Sequence, residues 1–425
     1  MIERFFLKEP KNQKKQAVLW NTAANLISAV ASVVLLLFVT RVNGTSEAGI
    51  FSIGYSTAQM LYPIGQFGMR NFQASDVQQR YKQSDYIASR VISCVIMMVV
   101  AFGFVLVKGY YAEKAAVLIL MCLLKVTDSV DDVFGGYYQL NKRLDIGGKM
   151  QFCRIVLYII VFLVIILTTK STVIACAGAV VAATIELVYV ISIVRKKFPE
   201  VRPVFRAERF KRLMLSCLPL CIGAFLIIYM GNAPKYAIDT YMASEYQAIY
   251  NYVFMPCYII CLFVQFVLQP LIVKMSTLWV KKEMKGFKKI CGMIFALTVV
   301  LSVIIIVGGH FIGCYILGWL YGVDLRMYKI ELTILLVGGA FYAIAIIIQT
   351  MLTIMRHQKY IIVGFILSSI IITIFAPIWV RTDGIMGAAW SYVLAAAVLF
   401  VVLLVCYIVG LQKEKRIITQ TLSED

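Results

Sequence analysis

Apolar residues fall in twelve long blocks separated by short polar connections: 17–40, 48–68, 86–107, 115–140, 152–169, 172–194, 213–230, 248–273, 290–317, 332–354, 361–380 and 386–411. Each has roughly the length, about 17–25 residues at 1.5 Å per residue, that an α-helix needs to cross hydrocarbon about 30 Å thick. None shows the period-two alternation of a membrane strand. In lipid every backbone N–H and C=O must pair within the protein, so the blocks predict helices. The expected fold class is all-α, a polytopic membrane protein of about twelve transmembrane helices. The first block is longer than a signal-peptide core, and Val39-Thr40-Arg41 offers no small-residue cleavage site, so it reads as a retained span.

The polar connections carry the orientation. Lysine and arginine gather in alternate connections: before the first block, after the second (through Arg90), fourth (through Arg154), sixth, eighth and tenth, and in the tail. The bias is roughly four to one, which places both termini in the cytoplasm. It also supports the count of twelve, since a missed span would reverse the alternation partway along. The longest connection contains Pro199 and Pro203 and has six blocks on either side. The expected organisation is therefore a cytoplasmic N-terminal segment at 1–16, an N-lobe at 17–194, a cytoplasmic linker at 195–212, a C-lobe at 213–411 and a cytoplasmic tail at 412–425. Basic amphipathic stretches at 71–85 and 274–289 hold corresponding places in the two halves and read as helices at the membrane surface.

Composition agrees: 61% of residues are apolar and 15% charged, against about half and a quarter in soluble domains. The net charge of +19 is spread over many loops instead of one domain, which disfavours a nucleic-acid partner and favours the anionic inner leaflet. Trp20, Trp279, Trp319 and Trp379 fall near block ends, as an aromatic belt requires.

Enzyme chemistry is sparsely represented. The two histidines, His310 and His357, lie far apart, and no zinc-type spacing or phosphate-binding glycine loop occurs. Cys217/Cys221 and Cys257/Cys261 share helix faces but lack histidine partners, so they read as packing residues. No metal or cofactor is expected, and the chain reads as a non-enzyme.

The sharper signal is charge inside a block. The fourth reads Lys125-Val-Thr-Asp128-Ser-Val-Asp131-Asp132. At about 100° per residue, Lys125, Asp128 and Asp132 share a face with Asp131 beside them. A charge at mid-depth costs roughly 2.5–3.5 kcal/mol on the insertion scale, so such groups face a protein interior or water. Lys125 and Asp128 have the i,i+3 spacing of an internal salt bridge. Three carboxylates against one lysine leave negative charge over, which points beyond packing to a cavity or coupling role. Asn21, Asn25, Gln59, Gln66, Glu186, Gln265, Gln269 and Gln349 add polar groups to other blocks. Singly each suits an interhelical hydrogen bond; together they predict a polar interior.

Three segments go further. Thr40-Arg-Val-Asn-Gly44, Ala48-Gly49-Ile-Phe and Gly68-Met-Arg70-Asn-Phe-Gln73-Ala-Ser75-Asp76 form the first. Gly136-Tyr-Tyr-Gln139-Leu-Asn-Lys142-Arg143-Leu-Asp145 is the second, and Asn232-Ala-Pro234-Lys235-Tyr236-Ala-Ile-Asp239-Thr-Tyr241 the third; Gln269-Pro270 also fits. In order and spacing the chain resembles the polysaccharide-biosynthesis membrane proteins, the oligosaccharide flippases of the multidrug/oligosaccharidyl-lipid/polysaccharide exporter superfamily. The resemblance implies two six-helix lobes around a central cavity, alternating access, and a polyprenyl-pyrophosphate-linked oligosaccharide as substrate. It also implies a bacterial plasma membrane, with polysaccharide polymerase and glycosyltransferases as further partners. On that footing Lys125, Asn21, Asn25, Gln66 and Gln269 would contact substrate. Asp128, Asp131 and Asp132 would couple transport to H⁺ or Na⁺ or hold Lys125 charged, and Arg70, Gln73, Asp76, Lys235 and Asp239 would form gates. Relatives that flip the peptidoglycan precursor carry two extra spans and an arginine cluster not found here. The competing reading, a cation-coupled multidrug antiporter of the same fold, predicts a carboxylate in span one or seven, and blocks 17–40 and 213–230 contain none. A non-transporting scaffold would leave the charges of the fourth block without a use.

Overall fold

The computed structural model describes every residue except 1, 11, 76–80, 199–201, 356 and 425. Among the described residues the regular structure is helical. The chain divides into two compact units, Met1–Ile228 and Tyr229–Asp425.

The first unit begins with a short helix, α1 (Ile2–Leu7). It continues through α2 (Gln13–Gln66), α3 (Met69–Ser75), α4 (Gln83–Lys108), α5 (Ala112–Leu140), α6 (Leu144–Thr169), α7 (Thr172–Val194) and the first part of α8 (Ala207–Tyr241). The second unit holds the end of α8 and then α9 (Ser244–Phe254), α10 (Pro256–Val280) and α11 (Met284–Gly308). A π turn (Gly309–Gly313) leads into α12 (Cys314–Tyr321), and a 3₁₀ turn (Arg326–Tyr328) precedes α13 (Lys329–Ile354) and α14 (Gln358–Glu424).

Nine helical stretches among the described residues are long and apolar enough to cross a membrane. At 54 residues, α2 would be about 80 Å long if straight, more than twice the hydrocarbon thickness. It is not straight: Gly44 has φ 87° and ψ 179°, far from helical values. In α14, 67 residues long, Gly384 breaks the helix at φ 59° and ψ −130°. Positive φ costs glycine little because it has no Cβ. Beyond Gly384 the chain turns back so tightly that a Cβ on Gly387 would overlap the carbonyl of Trp379. Each of these two helices therefore holds two crossings. The 29 residues of α5 also suffice for one, although its charged cluster sets it apart in composition. The architecture is consistent with twelve crossings in a multi-pass membrane protein.

In the first unit α5 is central, packed against α2, α3, α4, α6 and α7. The helices bury polar residues and present apolar ones outward. On α4, Arg90, Ser93, Cys94, Met97 and Ala101 are buried while Val91, Val95, Val99, Phe102 and Leu106 are exposed, the distribution expected where lipid is the solvent. In the second unit α13 occupies the middle, against α10, α11 and α14, and buries Leu335, Leu336, Ala343, Ile347 and Ile348.

The N-terminal helix α1 is anchored. Phe6 is buried, and Arg143 Nη2 donates to the carbonyls of Phe6 and Lys8, both at 3.2 Å. Lys149 Nζ donates to the carbonyl of Phe5 at 3.0 Å. These cations satisfy carbonyls that the end of a helix leaves open. Asp145 holds both of them, at 2.9 Å and 3.5 Å. Beside α1, a hydrogen bond from the Lys197 ammonium holds the Glu9 carboxyl below the usual carboxylate range.

Candidate functional site

A cavity of about 280 Å³ lies within the first unit. Its wall is built from Asn25, Ser28, Gln59, Tyr62 and Gln66 of α2, Arg70 of α3, Lys125, Asp128, Asp131 and Asp132 of α5, and Gln151 and Arg154 of α6.

The charges are arranged in two groups. At one end of the cluster, Lys125 Nζ donates to Asp128 Oδ2 at 2.8 Å. Its ammonium also sits 5.3 Å and 5.4 Å from the ring centres of Tyr55 and Tyr62, near enough for cation–π attraction. Arg154 Nη2 lies 2.9 Å from Asp128 Oδ1 and 2.9 Å from Asp131 Oδ2. Its Nη1 donates to the carbonyl of Thr127 at 2.9 Å. One buried guanidinium thus ties α6 to two carboxylates and a backbone carbonyl of α5.

At the other end Asp132 is shared by Arg70 at 3.2 Å and Arg90 at 2.9 Å. Arg90 is almost wholly buried and Arg70 is one-third exposed. The second hand of Arg90 follows from how α2 ends. Phe67 adopts the left-handed conformation, φ 51°, which leaves the carbonyl of Gly65 without a helical partner. Arg90 Nη1 and Ser93 Oγ both donate to it at 2.7 Å. A buried cation at a helix C-terminus is favoured by the backbone dipoles as well.

The charge balance differs from the expectation of surplus negative charge. Packing brings Arg70, Arg90 and Arg154 to the cluster, so four cations face three aspartates. By position Arg90 and Arg154 read as orientation-setting cations at block ends, yet both lie inside apolar blocks and are 1% exposed, so they belong to the cluster.

The remaining candidates are placed as follows. Asn25, Gln66 and Arg70 line the cavity beside Lys125 and the three aspartates. The amide of Gln66 donates to Tyr62 Oη at 3.0 Å. Asn21 is not on the wall: its Nδ2 donates to the carbonyls of Ala17 and Leu144 at 2.7 Å and 3.1 Å, joining α2 to the start of α6. Gln73 is fully buried and donates to Gln83 Oε1 at 2.6 Å. It lies so close to Gly136 that a Cβ there would overlap its Oε1, which joins two of the segments that carry the family resemblance. Asp76 and the side chain of Gln269 lie outside the described residues. Lys235 and Asp239 stand one turn apart on α8 in the second unit, where Lys235 is buried 5.4 Å from the ring centre of Phe254. Among the described residues no three His, Cys, Asp or Glu side chains are grouped as a metal site requires.

A family model described as "Polysaccharide biosynthesis protein" matches residues 15–276, which include every residue of this cavity. The chain belongs to this family. A capsular polysaccharide biosynthesis protein, CapF of Staphylococcus aureus, is 20% identical over 371 residues, covering 86% of this chain and 92% of that protein. Among solved structures, a multidrug resistance MATE family transporter of the MOP superfamily aligns over 97% of both chains with a TM-score of 0.65 and 13% identity. A Vibrio cholerae MATE transporter aligns over 94% of this chain and 97% of its own, with a TM-score of 0.61 and 11% identity. A MOP superfamily transporter from Pyrococcus furiosus aligns over 97% of both chains with a TM-score of 0.57 and 11% identity. At such identities these structures establish the fold. The fold is that of a multi-pass membrane protein, and the cavity in the first unit gathers Lys125, three aspartates and Arg154 on one wall.

Proposed function

We propose that this member of the polysaccharide biosynthesis family is a flippase that moves polyprenyl-pyrophosphate-linked oligosaccharide across the bacterial plasma membrane by alternating access, for assembly of a cell-surface polysaccharide. The observation that carries this reading is the composition of one cavity wall. Arg70, Lys125 and Arg154 stand beside four side-chain amides, Asn25, Gln59, Gln66 and Gln151. A sugar–pyrophosphate headgroup is polar and anionic and cannot enter hydrocarbon unaided. Arginine forks match phosphate oxygens, lysine meets them as a point charge, and amides serve hydroxyls as donor and acceptor. Arg70 is the most accessible of the cations and shares its carboxylate with Arg90, so an incoming phosphate can take Arg70 while Asp132 keeps a partner.

On this reading both termini are cytoplasmic, the lipid tail stays in the bilayer, and the enzymes that build and polymerise the glycan act before and after the transporter. The decisive experiment deletes the gene, complements it, and quantifies lipid-linked oligosaccharide on each face of the membrane. Accumulation on the cytoplasmic face, relieved by the wild type and relieved less than a tenth as well by Arg70→Ala or Lys125→Ala at equal expression, is the expected result; about 1.4 kcal/mol of lost interaction corresponds to tenfold. An unchanged distribution with altered drug sensitivity would move the chain to multidrug antiport.

A further inference from the structure

Glu186 lies in α7, a helix packed on both α5 and α6. Its side chain is buried, at 8% exposure, and neither carboxylate oxygen has a hydrogen-bond partner. It does not line the cavity. A buried acidic side chain left in that condition is costly and calls for an explanation.

Helices α6 and α7 form an antiparallel hairpin in which a Cβ on Gly178 would meet Val161 and Ile165; two turns further along, the same register sets Glu186 level with Arg154, where a complementary vacancy lies. Arg154 uses Nη1 on Thr127 and Nη2 on Asp128 and Asp131, but its Nε has no acceptor. Arg154 from α6 and Asp131 from α5 are the charged groups that act most directly on Glu186, and Cys153 of α6 is its titratable neighbour. A guanidinium pairs bidentately with a carboxylate through two N–H groups, and the free Nε is one that such a pair would use. Asp131 likewise has one oxygen, Oδ1, without a hydrogen bond.

We propose that Glu186 is the alternative seat of Arg154, and that the transfer of this guanidinium from Asp128 and Asp131 to Glu186 opens a site for one monovalent cation, H⁺ or Na⁺, at the cavity wall. The inference rests on the flippase reading above and supplies its coupling step. The charge count supports it. Lys125 and Arg154 face three carboxylates, Asp128, Asp131 and Glu186, so one negative charge is left over in either state. With Arg154 on the aspartates, that charge is on Glu186, off the cavity wall. With Arg154 on Glu186, it lies on Asp128 and Asp131 at the wall, where an entering cation can balance it. Each state keeps Arg154 paired, so no buried cation is stranded, and the entering cation relieves the remaining unpaired carboxylate, which is costly in low dielectric. Glu186 acts through Arg154 and is a positioning residue.

The test uses the purified full-length protein in detergent. Thermal unfolding is followed as Na⁺ replaces choline at fixed pH, and as pH is lowered in choline alone; these two series distinguish Na⁺ from H⁺. Wild type, Glu186→Gln and Glu186→Asp are compared, with inorganic pyrophosphate binding measured on the same samples. The wild type should be stabilised by one of the two cations. Glu186→Gln should need about tenfold more of it, as loss of one coupled partner predicts, and Glu186→Asp should shift the midpoint less. A Glu186→Gln variant whose melting temperature changes in choline while its cation midpoint stays put would reveal a packing role and overturn the proposal. A wild type that responds to neither cation would do the same. If Glu186→Gln does not fold, an unmoved cation midpoint in Glu186→Asp decides against it. Pyrophosphate affinity reports separately: its absence from the wild type removes the flippase reading whatever the cation series shows.

Discussion

Arg154 illustrates what one side chain does in this site. It holds Asp128 and Asp131 with a single nitrogen, each at 2.9 Å, and it is almost fully buried. Replacement by Met preserves bulk but leaves one of the aspartates, Asp131, without its cation. Breaking a buried pair from one side costs about 3–5 kcal/mol, more than removing both partners. Arg154→Met should therefore lower the thermal unfolding temperature of the detergent-solubilised protein sharply. Adding Asp131→Asn to it should recover much of the loss, and a double variant no more stable than the single would show that Asp131 does not depend on Arg154. The aspartates were legible in the sequence because charges interrupting an apolar block are conspicuous. Their arginine partners were not, although Arg90 and Arg154 fell within apolar blocks as well. Basic residues near block ends read as topology signals, and that reading accounts for Arg90 and Arg154 without calling for a partner. Glu186 was visible as a lone carboxylate, but only packing sets it beside Arg154.

Close approach between elements makes a second prediction. Gly136 of α5 lies against the side chain of Gln73 in α3, with no room for a methyl group. Gln73 is itself held by Gln83 of α4, so it cannot yield without losing that bond. Overpacking of this kind costs about 1–3 kcal/mol. Gly136→Ala should destabilise by that amount, and Gly136→Ala combined with Gln73→Ala should show a favourable coupling of at least about 0.5 kcal/mol, the level at which neighbouring sites depart from additivity. Additive losses would mean that the two residues do not meet. The anchoring of α1 can be tested in the same way. Arg143→Ala removes the bonds to the carbonyls of Phe6 in α1 and Lys8 just beyond it and leaves Asp145 with Lys149 alone, so limited proteolysis should cut the N-terminal segment faster than in the wild type. An unchanged rate would place the anchor in Phe6 instead. At this scale the sequence resolved helices by apolar length and placed polar breaks near Gly44 and Gly384. It did not reveal the docking of α1, because six residues carry no periodicity long enough to assign.

For the molecule as a whole, orientation follows from where lysine and arginine lie in the connections, and it can be measured directly. The native cysteines are buried or only partly exposed, so background labelling from them should be low. Lys142, in the turn between α5 and α6, is exposed, as are Lys170, between α6 and α7, and Arg326, ahead of α13. If the termini are cytoplasmic, Lys142 is inside while Lys170 and Arg326 are outside. Lys170→Cys and Arg326→Cys should then react with a membrane-impermeant maleimide on intact cells, and Lys142→Cys only after permeabilisation. The pair Lys142 and Lys170 tests the single crossing of α6, and Arg326 carries the test into the second unit. The reverse pattern at all three positions would invert the protein and place the one-third-exposed Arg70, which follows the second crossing, on the far side from the cytoplasmic lipid-linked substrate that the flippase proposal requires. Inversion at Arg326 alone would mean that the span count between α6 and α13 is odd where twelve crossings require it to be even, and would reassign one of α7, α8, α9–α10 or α11–α12.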